Sequence, residues 1–174
     1  MDNSEARLAC IKQLQESTSW QVRHKAAESL GQMGGEEARL ACMKALQDDG
    51  IEYVRAAAAE ALGKIGGEEA CAGCIEILQT NQKPEAREAA AQALGHIGGE
   101  QAANALIKAV LEYQGSDDST RRDTGIAAAY VIGRLRPNPE IVKEARNFCV
   151  KTLAGDPDDD MRWLAAEALN EFRG

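Results

Sequence analysis

Aromatic side chains are scarce in this sequence: two Trp, three Tyr and two Phe among 174 residues. A sheet sandwich draws its core from β-branched and aromatic residues. An interior built of Ala, Leu, Ile and Val points instead to closely approaching helices. Basic residues are in deficit too, 20 Lys and Arg against 28 Asp and Glu, for a formal charge of −8. Nucleic-acid binding relies on clustered Lys and Arg, so no nucleic-acid partner is expected. No apolar run reaches membrane-spanning length, and the start, MDNSEARLAC, has no signal-peptide pattern. The expectation is a soluble, cytoplasmic protein with no membrane partner.

What the sequence does contain is a repeat. Val54–Glu69 (VRAAAAEALGKIGGEE) returns as Val22–Glu37 (VRHKAAESLGQMGGEE) and as Ala86–Gln101 (AREAAAQALGHIGGEQ), with Arg23, Arg55 and Arg87 spaced by 32 residues. A fixed period of this size marks an array whose units bury their apolar faces against their neighbours. The stretch reads as the second helix of each unit, helix B. Helix A precedes it as ARLACIKQL at Ala6–Leu14, ARLACMKAL at Ala38–Leu46 and ACAGCIEIL at Ala70–Leu78. Leu8, Ile11 and Leu14 step by three residues, as one face of a helix would. The pairs Gly34-Gly35, Gly66-Gly67 and Gly98-Gly99 stop helix B, because glycine enters left-handed backbone conformations without a Cβ penalty. Ser17, Asp49 and Asn81, six positions before each arginine, are expected to N-cap helix B.

Two further units have drifted. IAAAYVIGRL at Ile126–Leu135 matches AAAAEALGKI at Ala56–Ile65, with Gly125 in the arginine's place. MRWLAAEALNEF at Met161–Phe172 restores the arginine as Arg162, with Asp156 as its cap, and ARNFCVKTL at Ala145–Leu153 is another helix A. The insertions QGSDDST (Gln114–Thr120) and RPNPE (Arg136–Glu140) account for the lost period. The expected fold is all-α, an α-α superhelix of five two-helix repeats. It forms a single domain over 1–174, with repeats near 4–34, 35–66, 67–98, 99–136 and 137–174.

The string VRxxAAxALGxIGG, with a capping Asp six residues before its Arg, resembles the short HEAT-like repeat named after the phycobilin lyases. The likeness covers essentially the whole chain. It implies a HEAT/armadillo-type solenoid with helix B lining the concave face. It also implies a ladder of turn aspartates and helix arginines between units. The ladder positions are Arg23, Arg55, Arg87 and Arg162 with Asp49 and Asp156. The pairing implied is Asp49 with Arg55 and Asp156 with Arg162, while Ser17, Asn81 and Ser119 replace the aspartate elsewhere. Relatives include bilin lyase and chaperone subunits and scaffolding proteins, and the repeat alone does not choose among them.

CAGC at Cys71–Cys74 could be a redox pair or half a zinc site. The register argues otherwise: Cys10, Cys42, Cys74 and Cys149 share one helix A position that Leu106 fills in unit four. Such a site packs cysteine as a small hydrophobe, and all four are expected to be buried and unbridged. Cys71 aligns with Arg7, Arg39, Ala103 and Arg146 and is expected at the surface. No second CxxC and no histidine pair completes a zinc set, and the run Asp156–Asp160 lacks EF-hand spacing. No metal, cofactor or catalytic residue is expected.

The function expected is non-catalytic protein binding through the helix B surface, to an unidentified protein. One and five positions after each arginine the outward stripe reads His24 and Glu28, Ala56 and Glu60, then Glu88 and Gln92. It turns apolar as Ile126 and Tyr130, then Trp163 and Glu167. The candidate anchors are Tyr53, Ile126, Tyr130 and Trp163, unless the insertions or a terminal cap cover them. Glu28, Glu60 and Glu167 would line the approach and favour a basic rim on the partner. The resemblance implies an alternative, a phycobilin lyase or phycobiliprotein-chaperone subunit with a bilin or phycobiliprotein as partner.

Overall fold

Helical periodicity carries this chain into helix after helix, and glycine pairs and short polar turns end them. The computed structural model describes residues 3–81, 83–113, 119–135, 139–155 and 159–172. Among these residues there are ten α-helices and no strand. They are α1 (Asn3–Glu16), α2 (Trp20–Met33), α3 (Glu36–Asp48), α4 (Glu52–Ile65), α5 (Glu68–Thr80), α6 (Pro84–Ile97), α7 (Gly99–Tyr113), α8 (Ser119–Leu135), α9 (Pro139–Gly155) and α10 (Asp159–Asn170). The fold is an all-α solenoid. The chain forms two compact units, Met1–Ile97 and Gly98–Gly174.

In the first unit, helix pairs α1/α2, α3/α4 and α5/α6 stack, with α2 on α4 and α4 on α6 as the broadest contacts. Alanine makes that closeness possible. Ala57, Ala58, Ala59 and Ala61 of α4 are all buried, so neighbouring helices reach it from several sides. Two columns of buried leucine run through the stack at the repeat period: Leu14, Leu46 and Leu78 on the first helices, Leu30, Leu62 and Leu94 on the second. Gly31 sits where α2 meets α4, and a Cβ there would lie 2.7 Å from the Ala61 Cα. Leu8, by contrast, is 62% exposed, as Leu40 is on α3. Successive three-residue steps rotate about 60° off a helix face, which swings Leu8 away from the side that buries Leu14.

Each glycine pair has positive φ at both residues: Gly34 (φ 66°, ψ −166°) and Gly35 (φ 93°, ψ 164°), then Gly66-Gly67 and Gly98-Gly99. Extended ψ at positive φ is essentially reserved for glycine. The Gly34 N–H donates to the Leu30 carbonyl at 2.9 Å, and Gly66 donates to Leu62 likewise.

Ser17, Asp49 and Asn81 do not N-cap helix B. The residues at the N-cap positions of α2 and α4 are Ser19 and Ile51, which make no side-chain cap bond. Ser17, Asp49 and Asn81 instead build the turn before it. Their side-chain oxygens accept the N–H two residues on: Ser19 at 3.2 Å, Ile51 at 2.9 Å and Lys83 at 2.9 Å. This is the local side-chain mimicry of a turn that Ser, Asp and Asn favour.

In the second unit α7 packs on α8, α9 on α10, and α8 also on α9 and α10. Its core includes Leu106, Val110, Ile132, Phe148 and Cys149. Thr124 and Ile126 join them.

Candidate partner-binding site

The ladder comes first, because it sets how the helix B starts line up. Each ladder arginine of the first unit reaches back six residues to a turn carbonyl. Arg23 Nη1 donates to Ser17 O at 2.9 Å, Arg55 Nη1 to Asp49 O at 3.0 Å and Arg87 Nη1 to Asn81 O at 2.8 Å. The Asp49 carboxylate turns the other way, to the preceding repeat. Arg23 donates to it through Nε (2.6 Å) and Nη2 (3.0 Å), a bidentate pair largely withdrawn from solvent. The pairing implied above, Asp49 with Arg55, is therefore met by the Asp49 backbone, while its side chain serves Arg23. Arg162 pairs with Asp159 within α10; Asp156 lies outside the described residues.

Asn81 stands where an aspartate would receive Arg55. Its Oδ1 serves the Lys83 N–H, and the buried Arg55 Nε finds no partner among the described residues. Asn81→Asp would add an acceptor there, as Asp49 does for Arg23. A charged hydrogen bond offset by desolvation should raise stability by about 1 kcal/mol. Denaturant unfolding measures it, and a variant no more stable than the parent would refute the pairing.

With the helix starts aligned, aromatic side chains meet at the surface of the first unit. Trp20 opens α2 and Tyr53 lies in the first turn of α4; their rings stack at 5.4 Å with 28° between planes. His24, one turn along α2, meets Trp20 edge-on at 6.5 Å. Its Nδ1 donates to the Tyr53 carbonyl at 3.0 Å, so that nitrogen carries the hydrogen, since a carbonyl can only accept. Tyr53 remains 63% exposed and Trp20 38%, with Val22 and Ile51 also exposed. Along the same faces follow Glu28 and Glu60. Lys25 Nζ donates to Glu28 at 2.6 Å, and Lys64 pairs with Glu60 at 2.7 Å. These hydrogen bonds hold both carboxyls below their ordinary range, and both stay ionised at neutral pH. Each carboxylate also feels charges from the neighbouring repeat: Lys64 acts on Glu28, and Glu28 on Glu60.

The expected site residues thus divide. Tyr53, Glu28 and Glu60 share one surface; Trp20, which pattern reasoning passed over, completes it. Trp20 sits three positions before its arginine and Tyr53 two before its own. They are not equivalent in the repeat, so only the packing of α2 on α4 brings them together. In the second unit Trp163 is 63% exposed, Glu167 is exposed and Tyr130 is half-buried. Ile126 is a correction: at 3% exposure it belongs to the core and offers nothing to a partner. Helix α8 begins seven residues before Ile126, whereas α4 begins four before the equivalent Ala56. The added turn places Ile126 well inside its helix, where neighbouring helices cover it.

The cysteines are a second correction. Cys71 is buried at 4% exposure, not on the surface. Arg7 and Arg39 at the same position are half-buried, with Arg7 reaching Glu37 through Nη1 while its Nε is buried, so the shorter cysteine stays within. Cys10 is half-exposed, because α1 packs only on α2 and α3. Burial pushes the Cys42, Cys74 and Cys149 thiols up to about 12 and raises Cys71 as well. In the native state one thiol per chain, Cys10, is expected to label rapidly, with the other four appearing only on unfolding. Fast labelling of Cys71 would contradict its burial.

A cleft of about 240 Å³ is lined by Leu14, Arg23, Lys44, Asp48 and Asp49. It falls below the roughly 300–1,000 Å³ of small-molecule pockets, and its Arg23 and Asp49 already bind each other. Among the described residues no His, Cys, Asp and Glu group is placed to hold a metal ion. No helix there is long and apolar enough to cross a membrane.

Comparison with known proteins agrees with the all-α solenoid fold. A family model described as HEAT repeats matches residues 8–82, and one described as PBS lyase HEAT-like repeat matches residues 86–112. No curated protein matches the chain in sequence. Among solved structures, the chain is similar to one in the complex of CpcE and CpcF of phycocyanin lyase from Nostoc sp. PCC7120. The TM-score is 0.53 and the identity 27%, over 96% of this chain and 65% of that one. The chain thus spans less than two thirds of that relative. An engineered protein (TM-score 0.42, 23% identity, 97% of this chain and 48% of that one) also aligns. Human deoxyhypusine hydroxylase does so with TM-score 0.38 and 23% identity, over 98% and 77%.

Proposed function

From the premise that the chain is a HEAT-like repeat protein of the PBS lyase type, we propose that it is a non-catalytic scaffold that binds another protein through the helix B face of its first unit. The observation that carries this reading is the stacked Trp20–Tyr53 pair, left exposed beside the Glu28 and Glu60 stripe. Trp and Tyr are favoured interface anchors, because each contributes a large contact area for little lost side-chain freedom. The array makes the surface available at low cost, since its stability comes from contacts between neighbours and leaves helix starts free. In the second unit Trp163 is a further candidate anchor, beside Glu167.

The test is a Trp20→Ala, Tyr53→Ala double substitution, with partner retention in pull-downs from the native host measured beside thermal unfolding. Retention is expected to fall at least about tenfold, the loss of one or two anchor contacts. The melting temperature should move by only a few degrees, since both rings are largely or partly exposed. Undiminished retention would exclude this surface.

A second reading, a subunit of a bilin lyase or phycobiliprotein chaperone, is supported by the likeness to the phycocyanin lyase complex. A shift in bilin absorbance on mixing with the chain would favour it. Co-purification with a colourless protein would favour the scaffold.

A further inference from the structure

The chemistry of the aromatic surface also specifies what would cover it. Stacked indole and phenol rings present π faces and edges, and a guanidinium group is the cation that stacks best on such rings. On α2 the surface continues from Trp20 through His24 to Glu28 at four-residue spacing. On α4 it runs from Tyr53 to Glu60. Seven or eight helical residues span about 10–12 Å, so rings and carboxylates form a strip some two turns long. Glu28 and Glu60 are ionised, and each holds its lysine through one carboxylate oxygen. The second oxygen of Glu28 lies 3.5 Å from His24 Nε2, while Glu60 presents its second oxygen beside the one that Lys64 holds. The unit around the strip, Met1–Ile97, carries fifteen acidic and ten basic residues, a formal −5. An approaching cation is attracted before contact and an anion repelled.

We infer that the partner segment is a basic amphipathic helix of another protein, with an arginine or apolar anchor on the Trp20–Tyr53 stack and a second basic residue seven or eight positions away over Glu28 and Glu60. This rests on the scaffold reading and adds the partner's chemistry. Laid along α2 and α4, such a helix would cover the exposed parts of the Trp20 and Tyr53 rings.

The experiment follows the two tryptophan indole N–H signals of the full chain by NMR, with the Trp20 signal identified by its loss in Trp20→Phe. The probe is an 18-residue helix of Ala, Leu and Arg with Arg at seven- and eight-residue spacing, beside the same peptide with Glu for every Arg. The Arg peptide is expected to shift Trp20 saturably and leave Trp163 in place. Glu28→Gln with Glu60→Gln should weaken it about tenfold, while Glu5→Gln with Glu76→Gln, an equal loss of charge elsewhere, should weaken it less than about twofold. Equal weakening by both pairs, equal binding of the Glu peptide, or no shift of Trp20 would overturn the inference. Tyr53→Ala separates the two claims. If the Glu peptide binds and Tyr53→Ala abolishes it, the basic partner is wrong and the site stands. If Tyr53→Ala changes no peptide's binding, the site reading falls with it.

Discussion

Replacing Gly31 by leucine is expected to lower stability by about 3 kcal/mol or more, among the largest effects of any single exchange in the first unit. A Cβ at this position would stand 2.7 Å from the Ala61 Cα and 2.9 Å from its Cβ. The first of these is backbone and cannot rotate away, so α2 and α4 would have to separate along their broadest contact. Even Gly31→Ala should lose stability, although alanine gains about 1 kcal/mol in helix propensity over glycine. Gly73→Ala supplies the contrast. There the obstructing atoms are the Met43 Cε and Sδ, the far end of a flexible side chain that can swing aside. That variant should match or exceed the parent in stability. Denaturant unfolding followed by helical circular dichroism measures both. Equal stability of Gly31→Leu and the parent would mean that α2 and α4 are not held in this contact.

The second large effect is expected at Asp49. Asp49→Ala should cost about 2–3 kcal/mol, between the value of an exposed ion pair and the 3–5 kcal/mol of breaking a buried one. Three hydrogen bonds end on this carboxylate: two from Arg23 and one from the Ile51 N–H. Its removal leaves the Arg23 guanidinium, whose side chain is 16% exposed, with turn carbonyls alone as partners. Asp49→Asn separates the two roles. Asparagine can keep the turn bond to Ile51, as Asn81 does to Lys83, but it offers Arg23 no charge. Its loss should be about half that of the alanine variant, and an asparagine variant as damaged as alanine would place the whole effect in the ion pair. For a chain of this length about 2 kcal/mol corresponds to roughly 4–8 °C in melting temperature.

The 32-residue period, the helix A and helix B patterns and the glycine stops were legible before any coordinates, because they are local. A helix's periodicity and a positive φ depend on neighbours in sequence, so repetition exposes them; repetition also marked Ser17, Asp49 and Asn81, but as helix caps, whereas they bond the turn N–H two residues on. Where local reasoning failed, a side chain's length or its helix's start mattered. Cys71 was placed at the surface by alignment with arginines whose tips reach it, and Ile126 by a register that ignored the earlier start of α8.

Contacts between repeats were a different matter. Asp49 could serve Arg55, 6 residues on, or Arg23, 26 residues back, and the spacing does not distinguish the two. The turn decides: with one carboxylate oxygen held by the Ile51 N–H, the group faces the preceding repeat. Trp20 and Tyr53 occupy different repeat positions and meet only through the offset at which α2 packs on α4. By itself the sequence determined the elements, their order and an all-α solenoid, since these follow from backbone conformation and from burial at the helical period. The tertiary structure decided which side chains of adjacent repeats touch, because a helix can slide or rotate on its neighbour by a fraction of a turn and keep its own pattern unchanged.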